Sequence, residues 1–295
     1  MFEVMKKFKI FLSISIAIIL VGIVCLIINR GFVTDIDFSG GAMLQIDMEQ
    51  KEYTEEDISA IVKEKAGVEP YSVQKVEGGS QVMIKMESID GEKRTAIFEG
   101  IKEKYGLSAE APLASDNVSP AVSSDIVYNA VLAVIIACVL ILIYITIRFE
   151  FSSGVAAVLA LLHDTLIMLA FYAIFRFPVN SSFIAAILTI IGYSINNTII
   201  LFDRIRENRR FAKKETFSQI CEKSIWQTMR RTLNTTGTTL VSLIVLYIMG
   251  ADSIKEFALP LIIGMIGGTY SSVLLAAPFW NLIHGGDKKK KVKTA

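Results

Sequence analysis

Residues 187–208 read ILTIIGYSINNTIILFDRIREN. The first fifteen positions are long and apolar enough to form most of a membrane-crossing helix. Yet Thr189, Tyr193, Ser194, Asn196, Asn197 and Thr198 stand among them. Helical spacing puts Thr189, Tyr193 and the Asn196/Asn197 pair on one side. Lipid offers an amide no partner, and an unmade hydrogen bond there costs several kcal/mol. Such a side is expected to turn towards other protein or a wet cavity. A packing seam, in which polar side chains glue helices together, is the plainer alternative. The span ends in Asp203-Arg204-Ile205-Arg206, a run that does not enter lipid.

The rest of the chain widens that reading. Of 295 residues, 53% are hydrophobic, with a mean hydropathy of +0.51. Long apolar runs at that density indicate a membrane protein. A net charge of +1 gives no sign of a nucleic-acid partner. Cys25, Cys138 and Cys221 are scattered, without CxxC or a His/Cys cluster, so the pattern supports neither a metal site nor a disulfide framework.

Residues 1–9 carry Lys6, Lys7 and Lys9, and residues 10–28 follow without a charge. Nineteen helical residues cover about 28 Å, enough for a first span. Residues 29–125 then read as an α+β module. Between Gly31 and Asp125 there are 19 Asp and Glu against 9 Lys and Arg, a net of −10. Expected strands are Ala42–Met48, Tyr71–Val76, Gln81–Glu87 and Ala109–Ser115. One expected helix is capped by Thr54 and opens on Glu55, Glu56 and Asp57; a second runs from Gly91 to Tyr105. The order βαββαβ predicts a ferredoxin-like module. Gly40 and Gly41, in Asp37-Phe38-Ser39-Gly40-Gly41, are expected to form a sharp turn at the membrane exit.

Five further spans are expected within residues 126–282: 126–147, 155–175, 182–202, 232–249 and 257–282. Six spans put both termini on one side. Nine Lys and Arg lie between Asp203 and Arg231, and five lysines lie in Gly285–Ala295. The positive-inside rule makes that side cytoplasmic and the α+β module extracytoplasmic. Loop 203–231 and tail 283–295 are then cytoplasmic. Thr216–Met229 suits a helix lying at the membrane interface, or a solvated loop helix. Lys288–Lys291 suits attraction to anionic membrane lipids.

Chemistry is expected in the spans. His163-Asp164 lies near the middle of the third, where an ionisable side chain costs about 2.5–3.5 kcal/mol to insert and is usually functional. The bland reading is a hydrogen bond to a neighbouring helix. In the fifth span Thr235, Thr238, Thr239 and Ser242 form a hydroxyl stripe with Arg231 at its entrance, able to snorkel outward or reach inward towards Asn197. Gly264, Gly268 and Ser272 give the sixth span a close-packing side. No nucleophile–base set stands out, and GxxxxGK[ST] is absent, which disfavours an enzyme and ATP as the fuel; no cofactor is implied.

The order of one span, a large module and five spans resembles half of a resistance–nodulation–division transporter. DFSGG (37–41), LLHD (161–164), IGYSINNTIILFDRIREN (191–208), RTLNTTGTTL (231–240) and FALPLIIGMIGGTYSS (257–272) are similar, more narrowly, to the SecF family of protein-export subunits. The resemblance implies a complex with a SecD-like subunit and the SecYEG channel. That complex helps draw a translocating polypeptide across the cytoplasmic membrane on a proton or sodium gradient. It also implies a coupling role for Asp164, Asn197 and Arg231, with His163, Asn196, Thr235 and Thr239 in support. The family commonly has Asp where this chain has Asn197, and an amide does not release a proton near neutral pH. Titration then falls to Asp164 or to the SecD-like partner, Asn197 helps hold Na⁺, or the chain keeps assembly without coupling. An Asn197→Leu exchange is expected to leave polar groups of spans three and five unpaired. The rival from another class is a stand-alone half-transporter of small molecules or lipids.

Overall fold

The computed structural model describes residues 3–148, 150–212 and 215–285, so residues 1 and 2 and the Lys288–Lys291 run lie outside the described residues. The chain divides into two compact units: Met1–Val33 with Leu132–Phe177 and Ser182–Ala295, and Thr34–Val131 with Pro178–Ser181.

The second unit is built around a four-stranded sheet. Along the chain come α2 (Ile36–Ser39), β1 (Gly41–Asp47), α3 (Glu55–Ala66), β2 (Ser72–Val76), β3 (Gln81–Met86), α4 (Gly91–Tyr105) and β4 (Ala114–Val118). The strand order is β2-β3-β1-β4, and every pairing is antiparallel. Thr54 caps α3 by accepting the Asp57 amide, three acids occupy its first turn, and Gly67 ends it in the left-handed conformation at φ 74°. Leu44, Ile46 and Ile84 from the sheet pack with Ile58, Val62, Ile97 and Ile101 from the helices. Each contributes about 1.5–3 kcal/mol when fully buried.

The Asp37–Gly41 stretch is a single helical turn followed by two glycines. Asp35 opens it by accepting the Ile36 amide, and the same carboxylate holds Lys85 Nζ at 2.8 Å. Gly41, at φ 143°, could not carry a side chain, because a Cβ there would lie 2.6 Å from the Met86 carbonyl oxygen. Asp37 Oδ2 accepts the amide of Ser181 at 2.9 Å. The fourth strand begins five residues later than the sequence suggests. Ser108 is held by Glu49 through its amide and hydroxyl, Pro112 has no N–H to give a ladder, and the chain rejoins β1 only when the Leu113 amide donates to Gln45.

The first unit is helical. Its elements are α1 (Val4–Ile28), α6 (Phe151–Phe175), α8 (Phe217–Met249), α9 (Asp252–Leu274) and α10 (Ala276–Ile283), together with most of α5 (Pro120–Arg148) and α7 (Ser181–Phe211). Among the described residues α1, α5, α6, α7, α8 and α9 are long and apolar enough to cross a membrane. Residues 217–236 contain neither Gly nor Pro, so the segment expected at the interface runs unbroken into the fifth span as α8.

Small residues set the packing. A Cβ on Gly22 would stand 2.6 Å from Ala170 Cα, which seats α1 against the backbone of α6. A Cβ on Gly264 would stand 2.6 Å from Ile190 Cγ1 and 2.7 Å from Met168 Sδ, which seats α9 against α6 and α7. The amino end of α1 has no cap from its own Glu3. Instead Glu222 of α8 accepts the Val4 and Met5 amides with its two oxygens, at 3.0 and 2.8 Å. Trp226 Nε1 steadies that carboxylate at 2.9 Å. An anion is well placed at a helix amino end, where amides lack partners.

Candidate functional site

Asp164 is 2% exposed, midway along α6, and lies at the centre of a chain of bonds through three helices. Ser194 of α7 donates its hydroxyl to Asp164 Oδ2 at 2.5 Å. On the other carboxyl oxygen, His163 Nδ1 lies 3.0 Å from Oδ1. The far side of the ring, Nε2, lies 2.8 Å from the hydroxyl of Ser15 on α1. With an ionised carboxylate, Nδ1 carries the ring proton and Nε2 accepts from Ser15; a doubly protonated ring donates at both ends. The imidazole also stacks on Tyr270 of α9, with ring centres 6.1 Å apart and planes within 16°. Tyr270 in turn donates its hydroxyl to the Phe11 carbonyl of α1 at 2.8 Å.

Gly268 makes room for this arrangement. A Cβ there would meet Ser194 Cβ at 3.1 Å, Ser194 Oγ at 3.2 Å and Asp164 Oδ2 at 3.4 Å. Beside His163 lies a cavity of about 210 Å³ walled by Ile14, Ser15, Ile18, Phe171 and Tyr270. Its lining is largely apolar, so the Ser194–Asp164–His163–Ser15 chain sits where local charge is poorly screened. Chemically, the chain can hold or pass a proton between a carboxyl and an imidazole. The same bonds tie α6 to α1 and to α7.

The other expected site residues separate into two sets. On α7, Thr189 and Asn196 are exposed, while Ser194, Asn197 and Thr198 are buried, so the polar positions face two ways. Asn197 Nδ2 and Thr198 Oγ1 are enclosed without a hydrogen-bond partner. Within residues 232–249 of α8 the buried positions are Thr232 and Thr236 rather than the Thr235 stripe. Thr236 bonds Thr269 of α9 at 2.9 Å and accepts from Tyr193 at 3.3 Å. Thr235 and Thr239 donate back to their own helix, to the carbonyls of Arg231 and Thr235. Arg231 is exposed, and no ion pair or side-chain hydrogen bond joins it to Asn197 among the described residues.

Ser15 and Ser194 of the central chain, with Tyr270 stacked on its imidazole, escaped sequence reasoning as site residues. Ser15 is one of two serines in the uncharged run 10–28, and Ser194 stands three residues before Asn197. Neither spacing says which helix it will meet.

Comparisons with known proteins place the chain in a family. The model described as protein export membrane protein SecD/SecF, C-terminal, matches residues 100–286. The protein translocase subunit SecF of Sebaldella termitidis is 38% identical over 90% of this chain and 86% of its own length. The SecF of Alicyclobacillus acidocaldarius is 34% identical over 99% of this chain and 96% of its own. A crystal structure of SecDF from Thermus thermophilus, described as a translocon-associated membrane protein, superposes with a TM-score of 0.80 at 30% identity. It covers 94% of this chain, which spans 38% of that longer protein. With six membrane-length helices and these relatives, the chain is a multi-pass membrane protein, and it belongs to the SecF family of protein-export membrane proteins.

Proposed function

We propose that this chain is the SecF-type subunit of an accessory complex of the Sec translocon. It assists polypeptide export across the cytoplasmic membrane and draws on the ion gradient. It is a transport subunit rather than an enzyme. The observation that carries the coupling part is the bonded pair Asp164–His163, enclosed by Ser194 and Ser15 within the helical unit. A proton bound or released there changes the hydrogen bonds that three helices share, so ion occupancy and helix packing form one equilibrium. Asp164 is the carboxyl of this chain that takes part in coupling. Asn197 acts as a polar neighbour, and Arg231 acts towards a partner.

A SecD-like chain is the partner. Support comes from the Bacillus subtilis protein translocase subunit SecDF, 36% identical over 97% of this chain, of which the match covers 38%. Further support comes from the exposed polar positions Thr189, Asn196, Arg231, Asn234, Thr235 and Thr238 on two membrane-length helices. Such positions want protein rather than lipid beside them. The SecYEG channel, the translocating polypeptide and anionic lipids complete the set of contacts.

In this reading both termini, residues 203–231 and the tail 283–295 are cytoplasmic, an orientation supported by their lysines and arginines. Residues 29–125 stand on the opposite side. Their strand order β2-β3-β1-β4, with one helix after β1 and one after β3, supports a ferredoxin-like module.

Purification from mild detergent, paired with an export assay in inverted vesicles, tests the proposal. A SecD-like chain co-purifies, and Asp164→Asn abolishes the gradient-dependent part of export without dissolving the complex. Recovery as a self-sufficient, transport-active monomer, or a gradient dependence unchanged in Asp164→Asn, overturns it.

A further inference from the structure

The cavity of about 210 Å³ beside His163 lies wholly within the helical unit, between α1, α6 and α9. Ile167 of α6 and Ile263, Ile266 and Gly267 of α9 complete its walls. Ile14 and Ile266 stand at its mouth, 49% and 56% exposed, on two membrane-length helices. The cavity is therefore continuous with the apolar surface that α1 and α9 turn to the bilayer.

Three polar side chains reach the lining, and each is already bonded. His163 uses both ring nitrogens, on Asp164 and on the Ser15 hydroxyl, and Tyr270 donates to the Phe11 carbonyl. An ordered water needs two to four polar partners, and no polar group of the lining is left without one. A charged or hydrogen-bonding ligand would find nothing to answer it. Apolar cavities of about 150 Å³ stay dry and take up benzene. This one is larger and opens on lipid, so the occupant that complements its uncharged walls is a hydrocarbon chain.

Gly267 shows that the protein does not fill this space itself. At Gly264 an added Cβ would stand 2.6 Å from Ile190 Cγ1, whereas at Gly267 the nearest contact is Ile167 Cγ2 at 3.5 Å, an ordinary approach. Packing therefore demands a glycine at 264 but not at 267. A side chain from a partner protein is a weaker fit, because the exposed polar positions that a partner would cover lie on α7 and α8, away from a mouth formed by α1 and α9.

We propose that this cavity is a lipid site, taking one acyl chain of a membrane phospholipid from the bilayer into the space beside His163. A chain seated there packs against the imidazole that Asp164 bonds. The site goes beyond the export reading and requires neither a partner nor a gradient.

The test uses the full-length protein in nanodiscs that contain a phosphatidylcholine with a diazirine midway along one acyl chain. After photolysis the labelled residues are mapped by mass spectrometry. Label concentrates on Ile18, Phe171 and Ile263 within the cavity, several times above Val139 and Ile143 of α5, although those two are 50% and 49% exposed. Gly267→Leu fills the cavity and removes that enrichment while α5 labels as before. Ile14→Trp covers the mouth from a half-exposed position and gives the same loss, which decides the matter if Gly267→Leu melts early. Label spread evenly over the exposed positions of α1, α5 and α9, or enrichment that survives both variants, leaves bulk lipid only and overturns the proposal. So does enrichment that vanishes once a SecD-like chain is co-purified, because a partner side chain then occupies the cavity. Failure here, with gradient-dependent export intact, removes this site alone.

Discussion

Ser194 donates its hydroxyl to Asp164 at 2.5 Å, joining α7 to α6 at a point where both side chains are at most 2% exposed. That bond separates the two groups by role. In the proposed coupling, Asp164 is the group that binds the ion and Ser194 orients it. Ser194→Ala is therefore expected to keep gradient-driven export while shifting its pH profile, because one hydrogen bond to the carboxylate is gone. Asp164→Asn is expected to abolish the gradient-driven part at every pH. Export measured in inverted vesicles over a pH series distinguishes the two. Identical profiles for both variants would return Asp164 to a packing role.

Asn197 invites a different outcome from the one its spacing suggests. Its amide nitrogen is enclosed without an acceptor, so removing it strands no bonded neighbour on α6 or α8. Replacing an unsatisfied buried polar group by an apolar one of similar size is close to neutral or stabilising. Asn197→Leu should fold and assemble, with a melting midpoint within about 4 °C of wild type. Asn197→Asp places a carboxyl there and should change the dependence of export on pH or Na⁺. A collapsed Leu variant would mean that the amide is satisfied in the assembled complex.

Arg231 and Arg230 are both exposed. Alanine at either position is expected to leave the stability of this chain within about 0.5 kcal/mol of wild type, as at other surface sites. Only Arg231→Ala should impair export, since it heads the polar side of α8 offered to a partner. Matching mild phenotypes would assign both residues to topology.

Gly264 and Gly268 call for opposite readouts. Alanine at 264 drives a methyl to 2.6 Å from Ile190 and 2.7 Å from Met168. The expected cost is about 1–3 kcal/mol, typical of overpacking. At 268 the nearest approach is 3.1 Å, so stability should change less. The displaced groups there are Ser194 and Asp164, and export should fall further than melting does. Thermal unfolding in detergent beside vesicle export separates them.

The sheet unit has its own pH signature. The Ser108 hydroxyl, then the Ser108 amide, hold Glu49 below the ordinary carboxylate value of 4.5. A carboxyl with a lowered native value stabilises the fold above its unfolded value and ceases to do so as pH falls through the native one. Glu49→Gln should therefore lower the melting midpoint in the neutral region and leave the acid end, where Glu49 is protonated, nearly unchanged, so that the acid limb of the stability curve flattens. Ser108→Ala should act in the same direction and add little to Glu49→Gln, because the two remove one interaction. Melting midpoints followed from neutral pH down through the carboxylate range test both.

How far these features were legible varies with the physics behind them. Thr54 and the acids after it act locally, so the start of α3 could be read residue by residue. The start of β4 could not, because it depends on Glu49 reaching Ser108 across 59 positions. In the spans, spacing tells which side chains share a side but not which side faces inward. The difference of one residue between Thr235 and Thr236 is about 100° of rotation, enough to exchange an inward hydroxyl for an outward one. Ser15 became visible only when α1 was laid against α6, a contact set by Gly22 and Ala170.

The carboxylate of Glu222, which closes the first turn of α1, lies 218 positions after the Val4 amide that it receives. In a chain made from its amino end, α1 thus waits for a residue of α8 before its own end is complete. At about 5–20 residues per second the wait lasts roughly 10–45 s. Through that interval the amides of Val4 and Met5 lack the carboxylate that later receives them. Synthesis of Glu222 supplies the missing acceptor, so the end of the earliest helix is completed by a residue made after most of the chain.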